Sequence, residues 1–365
     1  MNRGRTAPSA IGVGRTAFTT ALVFMPPALS AGAALASLPV FGVGPRIYRP
    51  VALASGLLAG TGLFAFWAAY VHGGDMREGL EALKFVFMSL CLVSGYWLAV
   101  SQRDIQRLAL TVGLLLIGGY ALIFEAGIQF AEAFRPPDNN GSAILLFCLA
   151  FIVADARPLW ARLAIMAVLF VFAEIAESRL LLVLLPFFFL SQPVALSPSR
   201  VLLIVVLCVV VYVWTTAAGM WGQWSDLVRL DLYATVIDIF ANAGIPLVAE
   251  GQANFVSDIM ANLPLVISQR LELAHAHNAF FQVLGSYGLI AGALFTGAMA
   301  TLLHVSVRLR SDTLRNQMLF LIFAMLIETL VSDSRVAYVV FLFVGLQIGV
   351  AHRRHVGGVN LPANT

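Results

Sequence analysis

The chain is organised as long runs of apolar residues separated by short polar breaks. About 20 mainly apolar residues let a helix cross the hydrocarbon core of a bilayer. Eleven runs are candidates for such helices, and those at 142–154 and 179–191 are short. The runs cover residues 17–41, 51–71, 83–101, 108–130, 142–154, 160–177, 179–191, 200–217, 277–305, 316–332 and 336–351. The pattern predicts an all-α, polytopic membrane helix bundle with about 11–12 transmembrane helices.

One interruption, residues 218–276, is too long to be a turn and is predicted to be an ordered, helical external loop. Ser225 suits the start of a helix within it, and Gly244 suits its end. This helix would lie on the membrane surface or over the mouth of the bundle. Its apolar positions fall on one face at Leu227, Leu230, Ala234, Ile237 and Ala241.

Composition strengthens the membrane assignment. Of the 365 residues, 60% are apolar and 11% are charged, whereas soluble domains have about 45–50% and about 25%. A soluble enzyme, a disordered protein and a nucleic-acid binder are therefore excluded, and no nucleic-acid partner is expected. Cys91, Cys148 and Cys208 each lie inside an apolar run, so they are predicted to be core residues and not a disulfide framework.

Basic residues in short loops predict the orientation, because the cytoplasmic side of a membrane protein carries the excess of arginine and lysine. Successive short loops lie on opposite sides of the membrane. One set of alternate loops carries twelve basic residues, and the other set carries five. The larger set is Arg46, Arg49, Arg103, Arg107, Arg157, Arg162, Arg200, Arg308, Arg310, Arg315, Arg353 and Arg354, and the smaller is Arg77, Lys84, Arg135, Arg179 and Arg335. The larger set and the C-terminus are predicted to be cytoplasmic, which leaves the long loop outside.

This orientation leaves the side of the N-terminus open. Arg3, Arg5 and Arg15 favour the cytoplasm, whereas eleven spans would place the N-terminus outside. Either a hairpin lies around Pro26 and Pro27 or another span makes twelve. The predicted organisation is N-terminal membrane helices, a periplasmic loop, C-terminal membrane helices and a cytoplasmic tail. These parts cover residues 1–217, 218–276, 277–352 and 353–365.

Charged residues in or beside the spans all fall near the predicted outer ends. They are Glu125, Glu174, Glu177, Arg179, Glu328, Asp333 and Arg335. Long side chains at helix ends reach water at little cost, so the position of any one of these charged residues has a simple structural explanation. The one-sidedness of the set favours a polar site open to the outside. A transporter would instead place charges near the bilayer midplane, beside broken helices or repeats.

The most informative segment joins the long loop to the following span. Residues 275–288 read His-Ala-His-Asn-Ala-Phe-Phe-Gln-Val-Leu-Gly-Ser-Tyr-Gly. This segment resembles the O-antigen ligase and Wzy-type polysaccharide polymerase family, whose signature is His-Asn, an apolar helix start and a glycine about ten residues later. His277, Asn278 and Gly288 match that pattern, and Ser286 stands where many members carry an acidic residue.

Two further segments extend the resemblance over residues 165–300. Ser178-Arg179 is similar to a Ser-Arg element of the family at the outer start of a span. Arg229-Leu230-Asp231-Leu232-Tyr233, followed by Pro246 and Gly251 in a Pro-x-x-x-x-Gly pattern, is similar to the family's external loop.

The resemblance implies a glycosyltransferase that moves a glycan from an undecaprenyl-diphosphate carrier to an acceptor hydroxyl on the periplasmic face. Guanidinium groups suit the diphosphate, because they are always charged and bind phosphate through paired hydrogen bonds. Arg179 and Arg229 are the candidates for this role, with Arg270 third. A neutral imidazole suits the removal of the acceptor's proton. His277 is the candidate base, and Asn278 would orient it or the acceptor.

Supporting roles are expected for Ser178, His275 and Glu174. His275 and His277 form a His-x-His pair, but no third ligand follows at a useful spacing, so neither a metal nor another cofactor is expected. The implied partners are the lipid-linked glycan, a glycan or lipid A-core acceptor, the bilayer and proteins of polysaccharide assembly. The implied location is the bacterial inner membrane, with the active site facing the periplasm.

The sequence leaves several functions open. Within the family, a ligase, a polymerase and a protein-glycosylating oligosaccharyltransferase are not separated. Outside it, the alternatives are a transporter or flippase of lipid-linked sugars and a non-enzymatic scaffold. In a scaffold, the arginines and His277 would only support the external loop.

Overall fold

The computed structural model describes residues 18–19, 22, 47–71, 76–99, 101–124, 139–155, 157–175, 197–217, 224–268, 276–327 and 334–356. These residues form helices and connecting turns with no strand among them, which confirms the all-α prediction. Each predicted span within these ranges coincides with a helix. The predicted spans 17–41 and 179–191 lie almost wholly outside the described residues.

The helices are numbered here in chain order. They are α1 (Arg49–Val71), α2 (Met76–Ala82), α3 (Lys84–Leu98), α4 (Gln102–Phe124), α5 (Asn139–Ala154), α6 (Leu159–Ile175), α7 (Pro198–Ala217), α8 (Trp224–Ala243), α9 (Gln252–Asn262), α10 (Leu265–Ser268), α11 (Ala279–Arg308), α12 (Asp312–Ile327) and α13 (Ser334–Val356).

Among the described helices, α1, α4, α11 and α13 are long and apolar enough to cross a membrane, and α3, α5, α6 and α7 are shorter apolar helices. The outward faces carry large apolar side chains. Leu63 on α1, Trp160 on α6 and Trp214 on α7 are each more than half exposed. Such a surface would be a liability in water, whereas in a bilayer it contacts lipid.

The centre of the bundle is a close, parallel packing of α3 against α13. A Cβ atom at Gly95 would meet the backbone of Leu342, and one at Gly345 would meet the carbonyl of Leu92. One at Gly349 would lie 2.5 Å from the carbonyl oxygen of Tyr96. These glycines let the two backbones touch, the arrangement that small residues give to helix pairs in membranes. Helix α1 packs beside α3, and α11 packs beside α1.

One end of the bundle, named here the arginine-rich end, is where the starts of α1, α4 and α12 meet the ends of α3, α5, α11 and α13. Tyr48 stacks on His352 with ring centroids 4.3 Å apart. Asp155 accepts hydrogen bonds from Gln102 at 3.0 Å and from Thr313 at 2.6 Å. The arginines of these helix ends all come from the larger predicted set. They are Arg49, Arg103, Arg107, Arg308, Arg315, Arg353 and Arg354.

At the opposite end, helices α8–α10 (residues 224–268) form a small cap with its own apolar core. Val228, Leu232 and Val236 of α8 pack in this core with Phe255 and Ile259 of α9. Within the predicted loop, residues 224–268 therefore fold as an ordered helical unit, and α9 packs on α11.

Helix α8 departs from the prediction at its start. It begins at Trp224, so Ser225 lies in the first turn and not at the cap position, and it ends just before Gly244, as predicted. Leu230, Ala234, Ile237 and Ala241 lie on the exposed face, away from the core of the cap. The side chain of Leu227 is outside the described residues.

Candidate functional site

The site is built around the start of α11, where the cap meets the bundle. Asn278 is the N-cap of this helix: its Oδ1 accepts hydrogen bonds from the N–H groups of Phe280, at 3.0 Å, and Phe281, at 3.1 Å. Its Nδ2 donates to the carbonyl of Leu326, near the end of α12, at 3.0 Å. The amide of Asn278 is therefore used on both sides to fix the start of α11 against α12.

His277 precedes this cap in an uncommon backbone conformation. Its φ of 46° lies in the left-handed region, which few residues other than glycine adopt. Tyr233 of α8 donates a hydrogen bond from its hydroxyl to the carbonyl oxygen of His277 at 2.9 Å. Because such a conformation persists only where neighbouring groups hold it, the Tyr233 bond and the Asn278 cap together fix the backbone that carries the imidazole.

Hydrogen bonds also fix the backbone of Ala276, the residue before His277. The N–H of Ala276 donates to Oε1 of Gln282 at 3.0 Å, and Nε2 of Gln282 donates to the Ser286 hydroxyl at 3.0 Å. All three residues are buried. Ser286, which stands where the resembled family often has an acid, here belongs to a structural hydrogen-bond chain along the first turns of α11.

Arg229 comes into the neighbourhood of His277 through α8. It lies four residues before Tyr233, and residues so spaced on a helix share a face with Cβ atoms about 5–6 Å apart. Arg229 is half-buried, as are Tyr233 and His277. The Tyr233 hydrogen bond therefore joins α8, the helix that carries Arg229, to the backbone of His277 at the end remote from the arginine-rich end.

Helix α11 is broken ten residues after Asn278. Gly288 has φ 88° and ψ −179°, a conformation essentially restricted to glycine. The loop between α8 and α9 fills this break with its backbone. Leu289 donates to the carbonyl of Pro246 at 2.8 Å, and the N–H of Gly251 donates to the carbonyl of Ser286 at 3.1 Å. The interrupted ladder of α11 is therefore completed by the cap.

A carboxylate from the bundle fastens the same loop. Oε1 of Glu78, on α2, accepts a hydrogen bond from the N–H of Ala253 in the first turn of α9 at 2.8 Å. A carboxylate is favourable at a helix N-terminus because the exposed N–H groups and the helix dipole attract negative charge. Gly251 lies against it, since a Cβ there would be 2.8 Å from Oε2 of Glu78. Glu78 and the Gly288 break together hold the cap on the bundle.

The predicted site residues divide into two groups. Arg229, His277 and Asn278 are described: His277 and Asn278 lie at the start of α11, and Arg229 lies one turn before Tyr233 on α8. Arg179, Arg270, Ser178 and His275 lie outside the described residues, and Glu174 lies in the last turn of α6 with a side chain outside them. Their predicted roles remain predictions.

Tyr233, Gln282 and Glu78 had no role in the sequence-based prediction. The spacing of Tyr233 from Arg229 is a usable signal, because it puts both on one helical face. Gln282 lies four residues after Asn278, one turn into the helix that Asn278 caps. Glu78 gives no local signal, since its partner is 175 residues away in sequence.

In the part of the chain that the structure describes, no three His, Cys, Asp or Glu side chains gather as metal ligands would. The described side chains at the junction include the imidazole of His277 and, on α8, the guanidinium of Arg229. No protein-family model matches the chain, and no curated protein was found to match it.

Proposed function

We propose that the protein is a membrane glycosyltransferase, similar to O-antigen ligases and polysaccharide polymerases, that acts at the junction of cap and bundle. The observation that supports this most is the hydrogen bond from Tyr233 to the backbone of His277. It ties the candidate base to the helix that carries the candidate diphosphate ligand, Arg229.

The proposed location is the bacterial inner membrane. The protein crosses it several times, with the arginine-rich end in the cytoplasm and the cap in the periplasm. The gathering of arginines at one end supports this orientation, as does the position of the cap at the other. A donor carried on undecaprenyl diphosphate would then present its glycan at headgroup depth, beside the junction.

In the proposed reaction, the acceptor hydroxyl attacks the anomeric carbon of the donor glycan. The bond from that carbon to the diphosphate oxygen breaks, and its electron pair stays on the diphosphate. Arg229, with Arg179 and Arg270 as predicted partners, stabilises the developing negative charge through charge-assisted hydrogen bonds. The hydroxyl proton passes to the imidazole of His277. Asn278 positions His277 by fixing the start of α11.

The break in α11 is the one observation that favours a transporter, because transporters use discontinuous helices to bind substrate. In this chain Leu289 bonds to the carbonyl of Pro246, and the carbonyl of Ser286 bonds to Gly251. These backbone groups are occupied by the cap and not offered to a substrate. The break therefore supports a role in fixing the cap better than a role in transport.

The test is a comparison of surface glycan made by variants in a deletion strain of the source bacterium. His277→Asn suits it better than His277→Ala, because asparagine tolerates positive φ and the substitution removes only the imidazole. Arg229→Lys keeps the charge and loses the paired hydrogen bonds. Asn242→Ala, at an exposed position of α8, is the control. Membrane protein level is measured for each variant.

We expect His277→Asn to lower glycan formation about 100-fold or more, Arg229→Lys to lower it less, and Asn242→Ala to leave it unchanged. In the deletion strain, long unattached lipid-linked chains would indicate a ligase, and single lipid-linked repeats would indicate a polymerase. Normal glycan from a well-expressed His277→Asn protein would refute the proposed base. Normal glycan in the deletion strain itself would refute the proposed class of enzyme.

A further inference from the structure

A cavity of about 550 Å³ opens at the arginine-rich end, far from the junction of cap and bundle. It lies between the start of α1 and the end of α11, which run antiparallel. Its basic side chains are Arg49 at the start of α1, with His304 and Arg308 in the last two turns of α11. Among the described residues that line it, none is acidic.

The position of the cavity follows from how the two helices pack. Further along the seam, a Cβ at Gly60 would be 3.7 Å from Leu294 and one at Gly297 would be 3.5 Å from Leu57. The side chains of one helix fill the space left by the glycines of the other there. The cavity begins beyond this filled part of the seam, where Leu53 and Ala300 are among its lining residues.

The cavity is polar at one end and apolar at the other. Arg49, His304 and Arg308 are exposed, and they lie at the ends of their helices. Leu53 lies one turn further into the bundle and is 57% exposed on the apolar outer surface. A ligand in this cavity would therefore meet cationic groups at the helix ends and an apolar wall towards the middle of the bundle.

We propose that this cavity binds an anionic glycerophospholipid of the leaflet at the arginine-rich end. Its phosphate contacts Arg49 and Arg308, with His304 beside them, and an acyl chain lies along Leu53. Guanidinium groups suit the phosphate because each can donate two parallel hydrogen bonds. Basic pockets between membrane helices on the cytoplasmic side bind anionic headgroups on the same physical basis.

This lipid is distinct from the proposed glycan donor, because the cavity and the junction lie at opposite ends of α11. A free phosphate would use the arginines and leave the apolar wall at Leu53 without a partner. The continuity of the cavity with the apolar outer surface is what favours a lipid. The inference does not depend on the proposed glycosyltransferase activity.

The test measures binding of phosphatidylglycerol to the purified full-length protein in a non-ionic detergent, by native mass spectrometry and by thermal unfolding. Arg49→Ala/Arg308→Ala is compared with Arg107→Ala/Arg157→Ala, which removes two exposed arginines at the same end outside the cavity. Phosphatidylcholine and inorganic phosphate are the ligand controls. Arg49→Lys/Arg308→Lys serves as a variant that keeps the charge.

Each basic residue near an anionic lipid contributes about 1 kcal/mol, so the loss of both arginines is expected to weaken phosphatidylglycerol binding about 30-fold. The control pair is expected to stay within about 3-fold of the wild type, and the lysine pair, which keeps the charge and loses the paired hydrogen bonds, is expected to bind more tightly than the alanine pair and less tightly than the wild type. Equal binding by Arg49→Ala/Arg308→Ala and the control pair would overturn the site. Equal stabilisation by inorganic phosphate would overturn the lipid as its ligand.

Discussion

Substitution of Gly288 by alanine tests how the cap is held on the bundle. The φ and ψ of Gly288 lie in a region where any other residue has a backbone strain of about 1–3 kcal/mol. The added Cβ would be 2.6 Å from the carbonyl oxygen of Leu247 and 2.9 Å from the nitrogen of Ala249. The loop would have to withdraw, which weakens the bonds from Leu289 to Pro246 and from Ile290 to Leu247.

Each of those two backbone bonds contributes about 0.5–1.5 kcal/mol net. Together with the backbone strain, the expected cost is about 2–6 kcal/mol, carried by the docking of the cap and not by the whole bundle. Even the lower value shifts the equilibrium between docked and undocked cap about 30-fold.

Hydrogen–deuterium exchange measures this directly. The amides of Leu289, Ile290 and Gly251, which donate the hydrogen bonds between the loop and α11, should exchange about 30-fold faster or more in Gly288→Ala. The control is Gly118→Ala in α4, where an added Cβ meets nothing within 4 Å. That variant should match the wild type or be slightly more stable, because alanine suits a helix better than glycine. If these amides exchange in Gly288→Ala as slowly as in the wild type, the loop between α8 and α9 does not hold the cap on the bundle through the break at Gly288.

Three further substitutions test the packing by thermal unfolding of the purified protein. Asn278→Ala removes the N-cap of α11 and the hydrogen bond to Leu326. We therefore expect the free energy of unfolding to fall by about 1–3 kcal/mol, and an unchanged unfolding midpoint would contradict the N-cap role of Asn278. Gly349→Val places a side chain against the carbonyl of Tyr96 and should cost about 1–3 kcal/mol; wild-type stability would show that α3 and α13 are not in backbone contact. Tyr287→Phe removes a buried hydroxyl with no hydrogen-bond partner in the described structure, so stability should be unchanged or higher; a clear destabilisation would reveal a partner.

The apolar runs predict most helices of the bundle. A helix that crosses a bilayer makes its backbone hydrogen bonds within itself, and its side chains are apolar along its length because they contact lipid or the interior of the bundle. The cap was also predictable as an ordered helical segment. The register of α8 was harder to predict, because the helix is apolar on two faces. Val228 and Leu232 face the core of the cap, whereas Leu230 and Ile237 are exposed.

The break at Gly288 could not be predicted from the apolar run at 277–305, which reads as one continuous span. A glycine there is equally compatible with an unbroken helix, and the positive φ depends on Pro246 and Gly251, which are distant in sequence. The role of Glu78 could not be predicted either, because its partner Ala253 is distant in sequence. His277 and Asn278 were predicted as candidates, but the left-handed φ of His277 and the bond from Tyr233 need the packed cap.

The proposed function requires the junction to bind a lipid diphosphate through Arg229. Binding of undecaprenyl diphosphate to the purified protein, compared between wild type, Arg229→Ala and the control Asn242→Ala, tests it most directly. A hydrogen bond to a charged group contributes about 1.5–3 kcal/mol, so Arg229→Ala should bind about 10- to 150-fold more weakly. Asn242→Ala should bind like the wild type. Equal affinity of Arg229→Ala and the wild type for the lipid diphosphate would contradict the account.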